Sequence, residues 1–433
     1  MTASPVRIAM LGCGTVGAEV ARALCDPARR AALSEAAGAH LELVGIAVAH
    51  EGVERPGIDP SLLTTDADAL LRDSAPDIVI ELIGAVAGTE ELVSLAIDLG
   101  ASVVTANKAL LSSNVRALTA RATARGVDLY YEAAVAGAVP VVRVLRSALA
   151  GQPLHRVLGI VNGTTNFILT TMAREGRSYS EVLADATAHG YAERDPSADV
   201  NGHDAAQKAA LLATLAFGSE VTDADVPREG ITRVTPVDIA AAARMGHVVR
   251  LVAVAERVGE DTVSVRVHPA MVPADHPLAA VDGASNAVFV EGADVGALMF
   301  MGAGAGGAPT SSAVLGDLVA AARNRVAGTT ERAPTITDQL RLLPPGDVVS
   351  AFYLAVEVAD RPGVLAAVAS VFGEHGVSIR SMEQFGMHDD ARLSFLTHHA
   401  TETAMASTVA DLAGLDAVKA IGVLLRVVEG AGA

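Results

Sequence analysis

The sequence predicts an α/β protein in three parts: a doubly wound parallel sheet, a middle α+β domain, and a carboxyl-terminal βαββαβ unit. Three observations carry this expectation. Short β-branched runs alternate with helical spacing from Val6 to Val135, and longer Ala-rich helices mix with strand-like stretches from Gly137 to about Thr330. After a Pro-containing connector, strand and helix patterns then recur within residues 351–433.

The first run, VRIAMLG, reads as a strand; CGTVGAEVARALCDPARRAAL switches to helical spacing, and LELVGIAVA returns to a strand. At the first strand–helix junction Gly12-Cys13-Gly14-Thr15-Val16-Gly17 matches G-x-G-x-x-G. In that context the glycines allow a tight turn, and backbone N–H groups with the helix dipole meet a pyrophosphate, as in a Rossmann-type sheet. DIVIELIG (Asp77–Gly84), a helix over Thr89–Leu99, ASVVTANK (Ala101–Lys108), a helix near Asn114–Arg125 and VDLYYEAAV (Val127–Val135) continue the alternation. Ligands of such sheets gather at the carboxyl ends of the strands. Lys108 therefore either points into that crevice from the end of its strand or opens the next helix at the surface.

HRVLGIVNG, RLVAVAERV, DTVSVRV and NAVFVEG are the strand-like stretches of the middle domain. Met301–Asn324 then places a Gly-rich loop before a helix, which makes either a second anion-binding terminus or an ordinary helix cap. Gly328–Ser350 carries prolines and polar residues and reads as a linker. Beyond it a strand runs into Asp360-Arg361-Pro362-Gly363, a helix follows, and further strands and a helix complete the last unit. The expected domains are residues 1–136 with 307–327 packing back on them, 137–327, the linker 328–350, and 351–433.

A chain of 433 residues is too long for one core, and 51% hydrophobic residues can fill several. The net charge of −18 without a basic cluster argues against nucleic acid or an anionic membrane as partner. Cys13 and Cys25, the two cysteines, suit a reducing compartment, and no window approaches the ~18 uncharged apolar residues of a membrane span. The expectation is a cytoplasmic enzyme of small molecules, without nucleic-acid or membrane partners, acting as a homo-oligomer, a dimer or tetramer.

The segment YAERDPSADVNGHDAAQKAALLATLAFG (Tyr191–Gly218) is the most informative. From Ala205 to Gly218 its only charged residue is Lys208. An ammonium among Ala, Leu and Phe loses hydration and is costly unless something uses or pairs it. Asp204, four residues earlier, shares its helix face. Glu193, Asp195, Asp199 and Asp204 do not form a calcium loop, because that register would place Lys208 at the last ligand position. A pocket for a small zwitterion fits better.

At these residues the chain resembles the homoserine dehydrogenase family, in its bacterial form with a carboxyl-terminal ACT domain. GCGTVG, TANKALLS, YEAAVAGAVP, GIVNGTTNFIL, YAERDPSADVNGHDAAQK and GAGAGGAPT occur in the family's order, and ADRPGVLAAVASVFGEHGVSI resembles the opening of an ACT domain. The resemblance implies that residues 137–327 form a catalytic and dimerisation domain. It also implies reversible NAD(P)-linked reduction of L-aspartate 4-semialdehyde to L-homoserine, on the route to threonine, methionine and isoleucine. Lys208 matches the catalytic proton donor and Lys108 a second active-site lysine, while Glu193 and Asp204 match residues that hold the substrate. The cofactor, NADP or NAD, is then met by Gly12, Gly14, Thr15, Val16, Gly17, Lys108, Gly190 and Gly306. A monovalent cation, usually sodium, is implied at Glu132 and the carbonyls around Val135, Gly137 and Val139; a hinge in which Glu132 caps backbone groups is the other reading of YEAAVAGAVP.

The chain departs from the family pattern after its second strand, where NADP-preferring members commonly carry a basic residue. Here Ala49 and His50 stand there, with Glu51, Glu54 and Arg55 farther on. The last unit contributes none of the implied catalytic residues and is expected to be a separable regulatory domain that binds an amino acid, threonine foremost, near Asp360–Gly363. Against the dehydrogenase stand two other readings: a sensor that keeps the fold without the chemistry, and a dehydrogenase of another amino-acid-derived carbonyl. A sensor has no need of lysines and a carboxylate in costly positions, which favours an enzyme.

Overall fold

The computed structural model describes residues 4–84, 86–188, 195–337, 339–387 and 390–430. These divide into two compact units, Met1–Gln152 with Ala210–Asp223 and Phe300–Asp338, and Pro153–Ala209 with Ala224–Met299 and Gln339–Ala433.

The first unit contains a six-stranded sheet in the order Leu63–Thr64, Leu41–Ala47, Val6–Leu11, Ile78–Glu81, Ser102–Thr105, Leu129–Tyr130. All its pairings are parallel. The order is that of a doubly wound sheet, with its switch point between Val6–Leu11 and Ile78–Glu81. Ile8, Met10, Ile46, Ile78, Ile80 and Val104 are buried together, and Val314, Leu318 and Ala322 of the helix Gly307–Ala327 join the same core. That distant helix packs on Thr15–Cys25 as part of this unit.

Several local features differ from the sequence expectation. The first helical stretch is two helices, Thr15–Cys25 and Pro27–Ala37, because Pro27 lacks an N–H and Asp26 caps a new start through Arg29 N at 2.8 Å. The strand expected to run to Lys108 stops at Thr105, and the next helix is Lys108–Arg125, six residues earlier than expected. Its cap is Asn107, whose side chain accepts from Leu110 N. Lys108 is thus the first residue of a helix. Only Leu129–Tyr130 of the expected strand Val127–Val135 is extended, since Glu132–Ala134 turns into a 3-10 helix.

The second unit is built on a mixed sheet, eleven-stranded among the described residues. Leu154–Ile160, His247–Val258, Thr262–Pro273 and Ser285–Gly292 are its antiparallel centre. Leu158, Val252, Val254, Ala270, Val272 and Phe289 bury one face. The strand Gly296–Ala303, inside a stretch read only as a Gly-rich loop at its end, also joins it.

The carboxyl-terminal βαββαβ unit has the helices Val364–Glu374 and Glu402–Ala413, with strand order Val418–Val427, Val349–Ala359, Asp390–Thr397, Ile379–Met387, all antiparallel. Phe372 and Phe395 meet in its core with ring centroids 4.9 Å apart. Its edge strand is not free. Arg426 and Val427 pair in parallel with Ala270 and Met271, so the two sheets are continuous. Arg341–Leu342, inside the expected linker, also pairs with this strand at Thr262–Val263. Sequence composition could not show this, because the pairing uses backbone groups of ordinary apolar residues.

Candidate active site

Lys208 lies in the helix His203–Phe217 and is 9% exposed, as is Asp204. Its Nζ donates to Asp204 Oδ2 at 2.7 Å and to the Val161 carbonyl at 2.7 Å. Asp204 Oδ2 also accepts from Asn162 Nδ2 at 2.9 Å, and the same amide donates to Asp199 Oδ1 at 2.7 Å. One amide therefore bridges two carboxylates beside one ammonium. Burial, and next the charge of Asp204, push the Asp199 carboxyl above its usual range despite the Asn162 hydrogen bond. With both carboxylates ionised this cluster carries one net negative charge.

The motif GIVNGTTNFIL explains how the cluster is held. Val161 directly follows the strand Leu154–Ile160, and Asn162 caps the helix Gly163–Glu175 by accepting from Thr165 N at 2.9 Å. A Cβ on Gly163 would lie 2.6 Å from the Ala284 carbonyl oxygen, so the close approach there needs glycine. Asn166 Nδ2 ties the helix to the carbonyls of Val281 and Gly283. Asn286, fully buried, donates to the Val161 carbonyl at 3.0 Å. Asp199 was one of the carboxylates singled out in the sequence, whereas Asn162 and Asn286 were not expected as site residues; the N-G-T-T cap was the available signal for Asn162, and Asn286 is distant in sequence and gave none.

In the first unit the strand Val6–Leu11 leads into Gly12, whose φ is +98°. A Cβ there would lie 2.6 Å from the Leu82 carbonyl oxygen, and one on Gly17 would lie 2.5 Å from that of Gly12. Gly14 has open space instead. It starts the helix Thr15–Val16 onward without a side-chain cap, which leaves N–H donors for an anion. Gly306, with φ +119°, starts the helix Gly307–Ala327 and is likewise uncapped by a side chain. A Cβ on Gly307 would come within 3.3 Å of the Thr15 carbonyl oxygen, so the two helix starts converge. These groups fit a dinucleotide pyrophosphate.

Glu81, which was not expected, is fully buried at the switch point and accepts from Ile83 N at 2.7 Å and Thr105 Oγ1 at 2.5 Å. Burial raises its pKa. Lys108 opens its helix just past Thr105, at this carboxyl end of the sheet. Arg55 donates to the carbonyls of His50 and Val53, and its guanidinium also reaches the Cys13 thiol. It therefore spans from the loop after the second strand to the glycine turn.

The Glu132 carboxylate accepts from Val142 N and Arg143 N, both at 2.8 Å, capping the start of Val141–Arg143. Its own N–H donates to Asp317 Oδ2 at 2.8 Å, and Asp317 accepts from Arg143 Nη2 at 2.7 Å. Two buried carboxylates thus face one half-exposed guanidinium. Burial, and then the charge of Asp317, push the Glu132 carboxyl up to about 7. Nearby Ala136 and Gly137 both have positive φ, 56° and 60°, which turns the carbonyls of the Val135–Val139 segment out of regular structure. Glu193 and Gly190 lie outside the described residues.

A glycine turn at the first strand–helix junction of a doubly wound sheet, in a chain that also keeps a hydrogen-bonded ammonium in an apolar helix, is the arrangement expected of a nicotinamide-dinucleotide-dependent oxidoreductase. The family model for homoserine dehydrogenase matches residues 140–319, that for its NAD binding domain residues 12–132, and that for the ACT domain residues 352–417. Homoserine dehydrogenase of Corynebacterium glutamicum is 48% identical over 427 residues, covering 98% of this chain and 96% of that protein. The solved homoserine dehydrogenase from Thiobacillus denitrificans superposes with a TM-score of 0.90 at 36% identity over 99% of both chains. A hyperthermophilic archaeal homoserine dehydrogenase in complex with NADPH matches 76% of this chain and 100% of its own, with a TM-score of 0.63 at 27% identity. The chain belongs to the homoserine dehydrogenase family, and is an NAD(P)-dependent oxidoreductase with a carboxyl-terminal ACT domain.

Proposed function

We propose that this chain interconverts L-aspartate 4-semialdehyde and L-homoserine, on the route to threonine, methionine and isoleucine, with Lys208 as proton donor to the nascent alkoxide. The observation that carries this is the Lys208 ammonium, fixed among the described residues by two hydrogen bonds, to Asp204 and to the Val161 carbonyl; in the proposed reaction its third N–H meets the substrate oxygen. Bound NAD(P)H supplies the hydride that adds to the aldehyde carbon. As the carbonyl π bond breaks, negative charge grows on its oxygen; the ammonium stabilises that charge and transfers a proton. In the reverse direction neutral Lys208 takes the hydroxyl proton of homoserine. Asp204, with Glu193, holds the substrate, and the net negative charge of the Asp199–Asp204–Lys208 cluster complements an α-ammonium.

Lys108 acts as the second active-site lysine, and Gly12, Gly14, Thr15, Val16, Gly17 and Gly306 carry the cofactor, with Gly190 completing that set. A monovalent cation, sodium in the family pattern, would be held by the carbonyls around Val135, Gly137 and Val139; the two carboxyls Glu132 and Asp317, which face the Arg143 guanidinium, support it. An amino acid, threonine foremost, regulates activity through the ACT domain, and the active form is a homo-oligomer. The test is a steady-state assay of homoserine oxidation with NAD and NADP side by side, with and without threonine, alongside reduction of aspartate semialdehyde, pyruvate and glutamate semialdehyde. Preference for another carbonyl in that panel sinks the substrate assignment.

A further inference from the structure

The Val161 carbonyl that holds the Lys208 ammonium has a second donor. Asn286 Nδ2 reaches the same oxygen at 3.0 Å, against 2.7 Å for Lys208 Nζ. Both lone-pair directions of this carbonyl are thus taken, one by an ammonium and one by an amide. The strand register explains how the amide comes to be there. Ser285–Gly292 runs antiparallel to Leu154–Ile160, and that pairing ends with Ala287 opposite Ile160. The next rung would set Asn286 opposite Val161, where the chain leaves the sheet for the helix Gly163–Glu175. At that point the Asn286 side chain stands in for a ladder donor.

Asparagine is not the most stable choice for this place. Asn286 is fully buried, and its Oδ1 has no hydrogen-bond partner among the described residues. A buried acceptor without a donor destabilises a fold, whereas an apolar side chain of similar size carries no such group. What the amide does gain is control of one peptide. The Val161 carbonyl holds Lys208, and Asn162, which follows it, donates to both Asp199 and Asp204. Carbonyl oxygens accept over a broad range of directions, so a second donor is what narrows the orientation of this one.

We propose that Asn286 is a positioning residue of the reaction: by anchoring the Val161 carbonyl it fixes the direction in which Lys208 Nζ presents its proton. The inference deepens the reading of Lys208 as proton donor and rests on it. Asn286 acts through the Val161 peptide and not on the substrate. A tilt of the ammonium lowers the rate of proton transfer while leaving the groups that bind substrate and dinucleotide in place.

The test is a double-mutant cycle on the full-length protein, with kcat and KM for homoserine oxidation and thermal denaturation of the wild type, Asn286→Leu, Lys208→Ala and the double variant. Asn286→Leu removes the donor and the unpaired Oδ1 together. The expected result is a melting temperature equal to or above that of the wild type, kcat lowered about ten-fold, and KM for homoserine and for the dinucleotide within about two-fold. On the Lys208→Ala background the same substitution is expected to lower kcat no further, because the group it orients is gone. Should Asn286→Leu fail to fold, Asn286→Asp, which keeps the shape and exchanges the amide donor for an oxygen, decides by the same loss of kcat and the same cycle. Wild-type kcat in the folded variant overturns the inference. So does a loss repeated in full on the Lys208→Ala background, which makes Asn286 a structural residue only. Near-normal turnover of Lys208→Ala itself removes the reading of the lysine, and this inference with it.

Discussion

Lys208 and Asp204, one helical turn apart, are joined at 2.7 Å in a helix that leaves each residue 9% exposed. A buried pair of this kind is weak evidence for stability, because desolvation offsets much of the attraction. Its position beside Asn162 and the Val161 carbonyl instead fixes one ammonium in one orientation.

Lys208→Ala is therefore expected to lower kcat for homoserine oxidation by about 100-fold or more, the scale of losing the group that acts as general base in this direction and as general acid in the other, while the dinucleotide dissociation constant stays unchanged. Fluorescence titration with NADPH and steady-state rates check both halves. Near-normal turnover in a folded variant would remove Lys208 from the chemistry.

The lysine was legible in sequence because a lone charge in an apolar helix is a local anomaly. So was the turn at Gly12–Gly17, since its glycines mark a strand–helix junction. Asn286 and Glu81 were not legible: each acquires its meaning from groups brought near by folding, the Val161 carbonyl and Thr105 respectively. The start of the helix at Lys108 was misread for a different reason, the cap at Asn107 being hidden in a run that also suited a strand. Continuity of the two sheets rests on backbone pairing and left no trace in residue type.

Two glycines of the turn should separate fold from binding. Gly12→Ala places a Cβ 2.6 Å from the Leu82 carbonyl oxygen at φ +98°, and is expected to cost about 1–3 kcal/mol or more of stability. Gly14→Ala meets nothing within 4 Å, so its melting temperature should match the wild type while the cofactor KM rises about ten-fold. Unchanged cofactor affinity in Gly14→Ala would mean that no phosphate approaches this backbone.

Glu132 sets a pH dependence. Its carboxyl rises from an ordinary 4.5 to about 7 on folding, so the folded state binds the proton more tightly than the unfolded chain. The stability linked to it is fully present below the unfolded value and is lost as pH rises through about 7. Melting temperature should therefore fall across that window, and Glu132→Gln should flatten the slope. Sodium chloride, compared with choline chloride at equal ionic strength, should restore stability at pH 8 in the wild type but less in the variant. Identical curves in the two salts would argue against a cation here.

Arg55 lies between the loop after the second strand and the Cys13 thiol, where a charge can meet the ribose end of a dinucleotide. It is not directly after the strand, so discrimination between NADP and NAD should be weak, with specificity constants within about two orders of magnitude. Arg55→Ala is expected to lower kcat/KM about ten-fold with NADP and little with NAD. Equal losses with both cofactors would assign the arginine to loop structure alone.

Truncation after Gly328 tests whether the ACT domain is separable. The domain has its own core, around Phe352, Phe372 and Phe395, and the archaeal homoserine dehydrogenase matching three quarters of this chain spans the whole of its own length in that match. Yet here Arg426 and Val427 pair with Ala270 and Met271, and Arg341–Leu342 pairs with Thr262–Val263. Removing them leaves a strand edge without its partners and Glu229 without the Arg426 guanidinium. Unpaired edges recruit other chains. The truncated protein should keep the Lys208 cluster and oxidise homoserine, but melt at lower temperature and self-associate with rising concentration. Gel filtration over a concentration series, with thermal denaturation, checks this. A truncated enzyme as stable and as monodisperse as the full chain would show that the continuous sheet contributes nothing to holding the catalytic strands, and that the tail is a detachable regulator as its sequence suggests.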